Sequence, residues 1–281
     1  ERVAVEEAVP SMTVKEYIVR RRQGEMFYCL DPRPELDFNA SHLPGSYSVP
    51  GGEIPFEITD IARVKEANIL VCCYGRTRGI LGAFILQKMG VTNVYFLSGG
   101  LGAWRIAGER YEVGSGQPKL PTSAASMTIG LEFTERLAKE EGLRFLSPEN
   151  VKACLDKNKV MYILDARLPE EHAESHIETS ISLPAGQVSN AVEGVVAVRN
   201  APLVTVSEDR ARAIIAAYWL REIGYPCVYV LDGGTRAWAN KGFPMKSGAA
   251  PAAVAPGLDK AKEQATLITV EELGVKLNSR D

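Results

Sequence analysis

Cys73-Tyr74-Gly75-Arg76-Thr77-Arg78 brings one thiol and two guanidinium groups into a single turn. The apolar run Ile69-Leu70-Val71 precedes it and reads as a buried parallel strand. Arg78 to Met89 follows as a helix, with Gly90 placed for a left-handed cap. In such a strand-to-helix turn, backbone N–H groups converge and the helix adds its positive end. Together with the arginines, these features favour a thiolate and hold an anion beside it. Cys73 is therefore the candidate nucleophile. Tyr74, Gly75, Arg76, Thr77 and Arg78 are the candidate substrate-binding residues. A lone cysteine is more often a small buried residue, but a polar, basic turn weighs against that here.

The elements around this turn alternate. Val14 to Arg22 reads as a helix, and Met26 to Asp31 as a strand ending in Asp31-Pro32-Arg33. A turn-rich Ser41-His42-Leu43-Pro44-Gly45-Ser46 leads to a short strand near Tyr47 to Val49. Asn93 to Leu97 is another strand, and Ser98-Gly99-Gly100 opens a helix carrying Trp104. Strands alternating with helices at this spacing predict an α/β fold built on a mainly parallel sheet flanked by helices.

The same pattern occurs twice. Adding 134 takes Asp31 to Asp165, Arg33 to Arg167, His42 to His176 and Pro50 to Pro184. It also takes Arg78 to Arg212, Gly90 to Gly224, Gly99-Gly100 to Gly233-Gly234 and Trp104 to Trp238. No gap is needed from Asp31 to Gly108, so the chain holds two copies of one domain. We expect the first domain over residues 1–114 and the second over 146–247. Between them, 115–145 reads as a linker rich in Gly, Pro and Ser, with a short helix at Leu131–Glu141. An Ala/Pro segment follows, and Leu267-Ile268-Thr269-Val270-Glu271-Glu272-Leu273 echoes Met12-Thr13-Val14-Lys15-Glu16-Tyr17. Residues 248–281 thus read as a second linker and the start of a third module, so the chain is expected to be a fragment of a longer multi-domain protein.

Length and composition bound the function. The 281 residues suit two domains, and 46% hydrophobic with 24% charged residues is ordinary for a soluble protein. A net charge of −3 gives no reason to expect nucleic acid. No apolar run is long enough to cross a bilayer, and no signal-like segment opens the chain. The five cysteines, Cys29, Cys72, Cys73, Cys154 and Cys227, are odd in number and lack C-x-x-C spacing, which argues against a disulfide framework and a zinc site. A cytoplasmic protein with reduced thiols, no metal and no cofactor is the expectation. Cys29, Cys154 and Cys227 lie in or beside apolar runs and read as buried packing; Trp104 and Trp238 read as core anchors.

Taken as a set, these residues resemble the rhodanese (sulfurtransferase) superfamily. The marks are Leu30-Asp31-x-Arg33, His42-Leu43-Pro44-Gly45-Ser46, the Cys73 loop and Val94-Tyr95-x-Leu97-x-Gly99-Gly100-x-x-Ala103-Trp104. Leu164-Asp165-Ala166-Arg167-x-x-x-Glu171 and His176-Ile177 repeat them in the second copy. The Gly75-Arg76-Thr77-Arg78 loop is similar to that of bacterial proteins carrying several such domains in tandem. The resemblance implies that Cys73 takes a sulfane sulfur as a persulfide, from thiosulfate or a similar small donor, and passes it to cyanide or a thiol. It also implies further rhodanese-like domains in the same full-length chain; the charge and the apolar runs noted above lead us to expect neither nucleic acid nor membrane as partner.

The second loop departs from that pattern. It reads Ser207-Glu208-Asp209-Arg210-Ala211-Arg212, with serine in place of the cysteine. A hydroxyl without a base is a poor nucleophile and cannot hold a persulfide, and Glu208 and Asp209 offset the arginines. The second domain is expected to be non-catalytic, with Ser207 and Arg212 as relics of the loop. Asp31, Arg33 and His42 have partners in this copy, which assigns them to a brace under the loop.

Two other functions compete. Counted from Cys72 the loop reads Cys-x5-Arg, a spacing that suits a phosphatase or arsenate reductase. The repeat favours the shorter register, because Cys72 aligns with Val206 on a strand and Cys73 with Ser207 at the loop start. A non-catalytic rhodanese-like binding module is the other alternative, against which the intact cysteine and two arginines of the first loop stand.

Overall fold

Short β-branched and aromatic runs pair in register, and each copy lays them down in the same sequence. The computed structural model describes residues 2–119, 121–248 and 268–279. The chain enters through α1 (Arg2–Glu6), β1 (Ser11–Met12) and α2 (Val14–Arg22). It continues through β2 (Phe27–Asp31), α3 (Glu35–Ala40), β3 (Ser46–Ser48), α4 (Ile54–Ile61), β4 (Asn68–Val71), α5 (Thr77–Lys88), β5 (Val94–Leu97) and α6 (Gly100–Ile106). After α7 (Ala124–Glu140) come β6 (Phe145–Leu146), α8 (Pro148–Asp156), β7 (Tyr162–Asp165), α9 (Pro169–Glu174), β8 (His176–Ile177) and β9 (Ser180–Ser182). A short 3₁₀ turn at Ala185–Gln187 leads to α10 (Val188–Val195), β10 (Leu203–Val206), α11 (Ala211–Glu222), β11 (Val228–Leu231), α12 (Gly234–Asn240) and β12 (Met245–Lys246).

The two sheets have the orders β1-β5-β4-β2-β3 and β6-β11-β10-β7-β9, and all neighbours in them run parallel. Among the described residues the one antiparallel strand pair is β8 with β12. In the first sheet Val71 sits beside both Leu30 and Phe96, so β4 is central and the chain leaves it from the middle of the sheet's C-terminal edge. Open parallel sheets bind ligands at that edge. The fold is the doubled α/β architecture expected from the sequence.

The two copies share a hydrophobic core. Phe84 of α5 stacks on Tyr218 at 6.2 Å and lies 5.7 Å from Trp219, both on α11. The turns after β3 and β9 meet backbone to backbone. A Cβ on Gly52 would lie 2.8 Å from Ala185 Cβ, and one on Gly186 would lie 2.7 Å from Gly51 N. These turns are repeat equivalents, so glycine is needed on both sides of one crossing.

The segment expected as a linker with a short helix is a 17-residue helix, α7, packed on both copies. Phe133, Leu137 and Ala138 are buried in the shared core. Ser123 caps the helix by accepting from Ser126 N, and donates its own N–H and hydroxyl to Asp60 at 2.7 and 2.9 Å. Gly130 lies where a Cβ would be 2.3 Å from the Phe56 ring, so a residue that reads as a helix breaker is here a close-approach site. Two further expectations are corrected: Cys154 and Cys227 are half-buried rather than core residues. The Ala/Pro segment over 249–267 lies outside the described residues. Residues beyond it form a separate unit whose helix, α13 (Val270–Asn278), opens with a Thr269–Glu272 capping box, as α2 does with Thr13–Glu16. No described helix is long and apolar enough to cross a membrane.

Candidate active site

Cys72 and Cys73 follow directly from β4. Cys72 N donates to Leu30 O at 2.8 Å, which continues the ladder with β2, and its side chain packs among Leu43, Leu70, Leu97 and Leu101. It is 1% exposed, and burial, with the Asp31 carboxylate next, pushes its thiol well above the ordinary range. A thiol so placed is a packing group. Cys73 lies one residue further, where the ladder has ended and the loop begins.

The loop is shaped by its neighbour α6. Leu101 N donates to Cys73 O and Gly102 N to Tyr74 O, both at 2.8 Å. Gly100 makes this clamp possible: its φ is +56°, and a Cβ would fall 2.3 Å from Cys73 O and 2.4 Å from Gly75 O. With its carbonyls held outward, the loop has N–H groups left over. Among the described residues, the backbone N–H groups of Tyr74, Gly75, Thr77, Arg78 and Gly79 have no protein acceptor. The N-terminus of α5 has no side-chain cap either. Cys73 Sγ lies 3.7 Å from the position a Cβ on Gly79 would take, in the first turn of that helix. The thiol is 5% exposed. Such an arrangement stabilises negative charge on sulfur or on a bound anion.

Above the loop is an open depression lined by Tyr74, Gly75, Arg76, Thr77, Ala103 and Ile106, among others. Arg78 points elsewhere. Its Nη1 lies 3.4 Å from Asp37 Oδ2, and the side-chain amide of Asn190, on α10 of the second domain, lies 3.0 Å from its Nε and 3.3 Å from its Nη2 and accepts from both when its oxygen and nitrogen are exchanged, the orientation that satisfies both groups. The residue expected to hold a donor thus joins the two domains.

Asp31 and Arg33 form a buried brace that reaches the Ser41 carbonyl, whereas His42, expected in the same brace, donates from Nδ1 to Phe38 O at 2.9 Å instead. Arg33 Nη2 donates to Asp31 Oδ2 at 2.7 Å and to Ser41 O at 2.5 Å, with both charged side chains buried. Arg167 repeats this with Asp165 at 2.6 Å and Ser175 O at 2.7 Å. His42 stacks on Phe38 at 3.9 Å, and His176 on His172 at 3.9 Å. Trp104 and Trp238 are buried and donate to Arg110 O and Pro244 O at 2.7 and 3.0 Å.

In the second loop the same clamp holds: Thr235 N donates to Ser207 O at 2.8 Å and Arg236 N to Glu208 O at 3.1 Å. Ser207 Oγ accepts from Ala213 N at 3.3 Å. Arg212 pairs with Glu171 and with Glu53 of the first domain, so both loop arginines at this repeat position cross between domains. Glu53 was not singled out in the sequence. It carries its own signal only in the fold, where burial raises its carboxyl to about 7.

The family model of the rhodanese-like domain matches residues 13–107 and 147–241. A crystal structure of a thiosulfate sulfurtransferase from Pseudomonas aeruginosa is 30% identical, with a TM-score of 0.80. The match covers 90% of this chain and 47% of that one, so the chain spans about half of its length. Two smaller structures are matched along most of their own length. A rhodanese-like domain from Anabaena sp. is 21% identical, covering 40% of this chain and 90% of that one, with a TM-score of 0.34. A rhodanese with anions from E. coli is 24% identical, covering 32% and 100%, with a TM-score of 0.29. No curated protein matches the chain. Two matched regions on two copies of one α/β fold make this chain a member of the rhodanese-like family, with its domains in tandem.

Proposed function

We propose that the first domain is a sulfurtransferase that works through a persulfide on Cys73. One observation carries this reading: a loop with its carbonyls tied to α6 keeps unclaimed N–H groups around the Cys73 thiol. In the first half-reaction the Cys73 thiolate attacks the outer sulfur of thiosulfate. The sulfur–sulfur bond of the donor breaks, and sulfite leaves with the bonding pair. Loop N–H groups and the α5 N-terminus stabilise the charge on donor and persulfide. In the second half-reaction a thiolate or cyanide attacks the outer sulfur, and the Cys73 thiolate is restored.

The likeness to a thiosulfate sulfurtransferase supports thiosulfate as the donor to try first. The second domain, with Ser207 at the loop start, serves as a non-catalytic partner that buries one side of the first. The capping box of α13 supports reading it as the first helix of a third module. A cytoplasmic location fits the reduced thiols. The test is thiocyanate formation from thiosulfate and cyanide. The Cys73→Ala variant is expected to fall to the uncatalysed rate; sustained turnover in that variant overturns the assignment.

A further inference from the structure

Asp209 stands at the position of Gly75 and folds its carboxylate back over its own turn. Its Oδ1 accepts from Arg210 N at 2.5 Å and from Ala211 N at 2.8 Å. Ala211 is the repeat equivalent of Thr77, whose N–H has no acceptor among the described residues. The basic side chains of the second loop are also engaged: Arg210 by Glu135 and Asp232, each at 2.7 Å, and Arg212 by Glu171 and Glu53. Glu208, by contrast, turns outward to Arg236 at 2.8 Å, and both are well exposed. The clamps from α6 and α12 are the same in the two copies, so the difference lies in the loop side chains.

We propose that the Asp209 carboxylate is a permanent internal anion of the second loop, and that it occupies the Ala211 N–H, whose counterpart at Thr77 the first loop leaves to an incoming oxyanion. The residue at the shared position, Gly75 or Asp209, then decides which copy takes one. This rests on the first loop being an anion cradle; it does not rest on sulfur transfer. Space does not explain glycine at position 75. Its φ is not positive, and a Cβ there would meet nothing within 4 Å. A side chain is sterically tolerated, but a carboxylate there would reach the Thr77 N–H as Asp209 reaches that of Ala211.

The experiment uses the whole chain with sulfate, a dianion that has no transferable sulfur. Residue-resolved hydrogen exchange is expected to show the Thr77 amide slowed by sulfate and the Ala211 amide unaffected. Equal slowing at both amides, or none at either, overturns the proposal. The graft Gly75→Asp is then compared with Gly75→Ala, reading protection of Cys73 by sulfate against iodoacetamide, which is neutral. Alkylation without sulfate reports that the loop is intact. The aspartate graft should raise the sulfate needed for half protection by about tenfold or more, as expected for loss of a charge-assisted site, whereas alanine should stay within about threefold. An aspartate graft protected at wild-type sulfate concentrations overturns the proposal, as does an alanine variant that loses protection equally. None of these readouts requires a persulfide, so the proposal and the assignment of sulfur transfer fail separately.

Discussion

Glu53 of the first domain and Arg212 of the second loop meet across the domain boundary, Oε1 to Nε at 3.4 Å, with the Glu53 side chain 13% exposed. Burial outweighs the arginine, so the carboxyl sits at about 7 rather than near its ordinary 4.5. An acid raised in the folded state destabilises with increasing pH, because the unfolded chain releases its proton first. The effect is absent below pH 4.5, grows up to about pH 7 and is complete above it. Glu53→Gln should remove it, a difference of about 3 kcal/mol at most. Chemical denaturation at pH 5 and pH 8 checks this: the variant should gain on the wild type as pH rises. A constant gap between the two contradicts the assignment.

Cys72 continues the ladder beside β2 and packs among leucines, whereas Cys73, one position on, begins the loop at the N-terminus of α5. Cys72→Val should keep sulfur transfer within about threefold, since the second copy already carries Val206 at this strand position and volume-conserving core swaps are mild. Thiosulfate turnover checks this. Phosphatase activity that vanishes with Cys72→Val would put the nucleophile in the other register.

Arg78 is engaged by Asp37 and Asn190, so its removal should act on the domain boundary. Arg78→Ala is expected to lower stability by about 1 kcal/mol, the scale of a partly exposed pair, and Asn190→Ala to do much the same. The KM for thiosulfate should change less than about threefold in both, because neither removes a loop N–H group. A tenfold rise in KM for Arg78→Ala with unchanged stability would return Arg78 to the donor site.

Much of this was legible in the sequence, because a gapless repeat places residues without any knowledge of contacts. The spacing of 134 put Cys73 at a loop and Cys72 on a strand, matched the Asp31–Arg33 brace to Asp165–Arg167, and found the glycine pair that clamps each loop. What was not legible depends on direction. Glu208 and Asp209 look alike as charges, yet one faces Arg236 in solvent and the other caps two N–H groups. Arg78 and Arg212 read as loop cations, but their partners lie across a boundary that no local pattern marks. Helix α7 begins at Ala124 rather than Leu131, and its Gly130 packs against Phe56 of the first domain, a contact that no local pattern marks.

The second loop should not be awakened by a thiol alone. Ser207→Cys in a Cys73→Ala background is expected to turn over thiosulfate poorly, because Asp209 fills the loop and nearby carboxylates disfavour a thiolate. Adding Asp209→Gly should raise the rate about tenfold or more, the scale of a restored charge-assisted contact. Brisk turnover from Ser207→Cys by itself would mean that the missing sulfur atom is all that silences this copy.

The central claim is a sulfur atom carried by Cys73. Intact mass spectrometry after incubation with thiosulfate and removal of the donor measures it directly. The wild-type chain should gain the mass of one sulfur, about 32 Da, mapped to the peptide containing Cys73 and lost on addition of cyanide, as covalent catalysis through a carried intermediate requires. Cys73→Ala should gain nothing. An unmodified wild-type chain, or an adduct that survives in Cys73→Ala, would contradict the account.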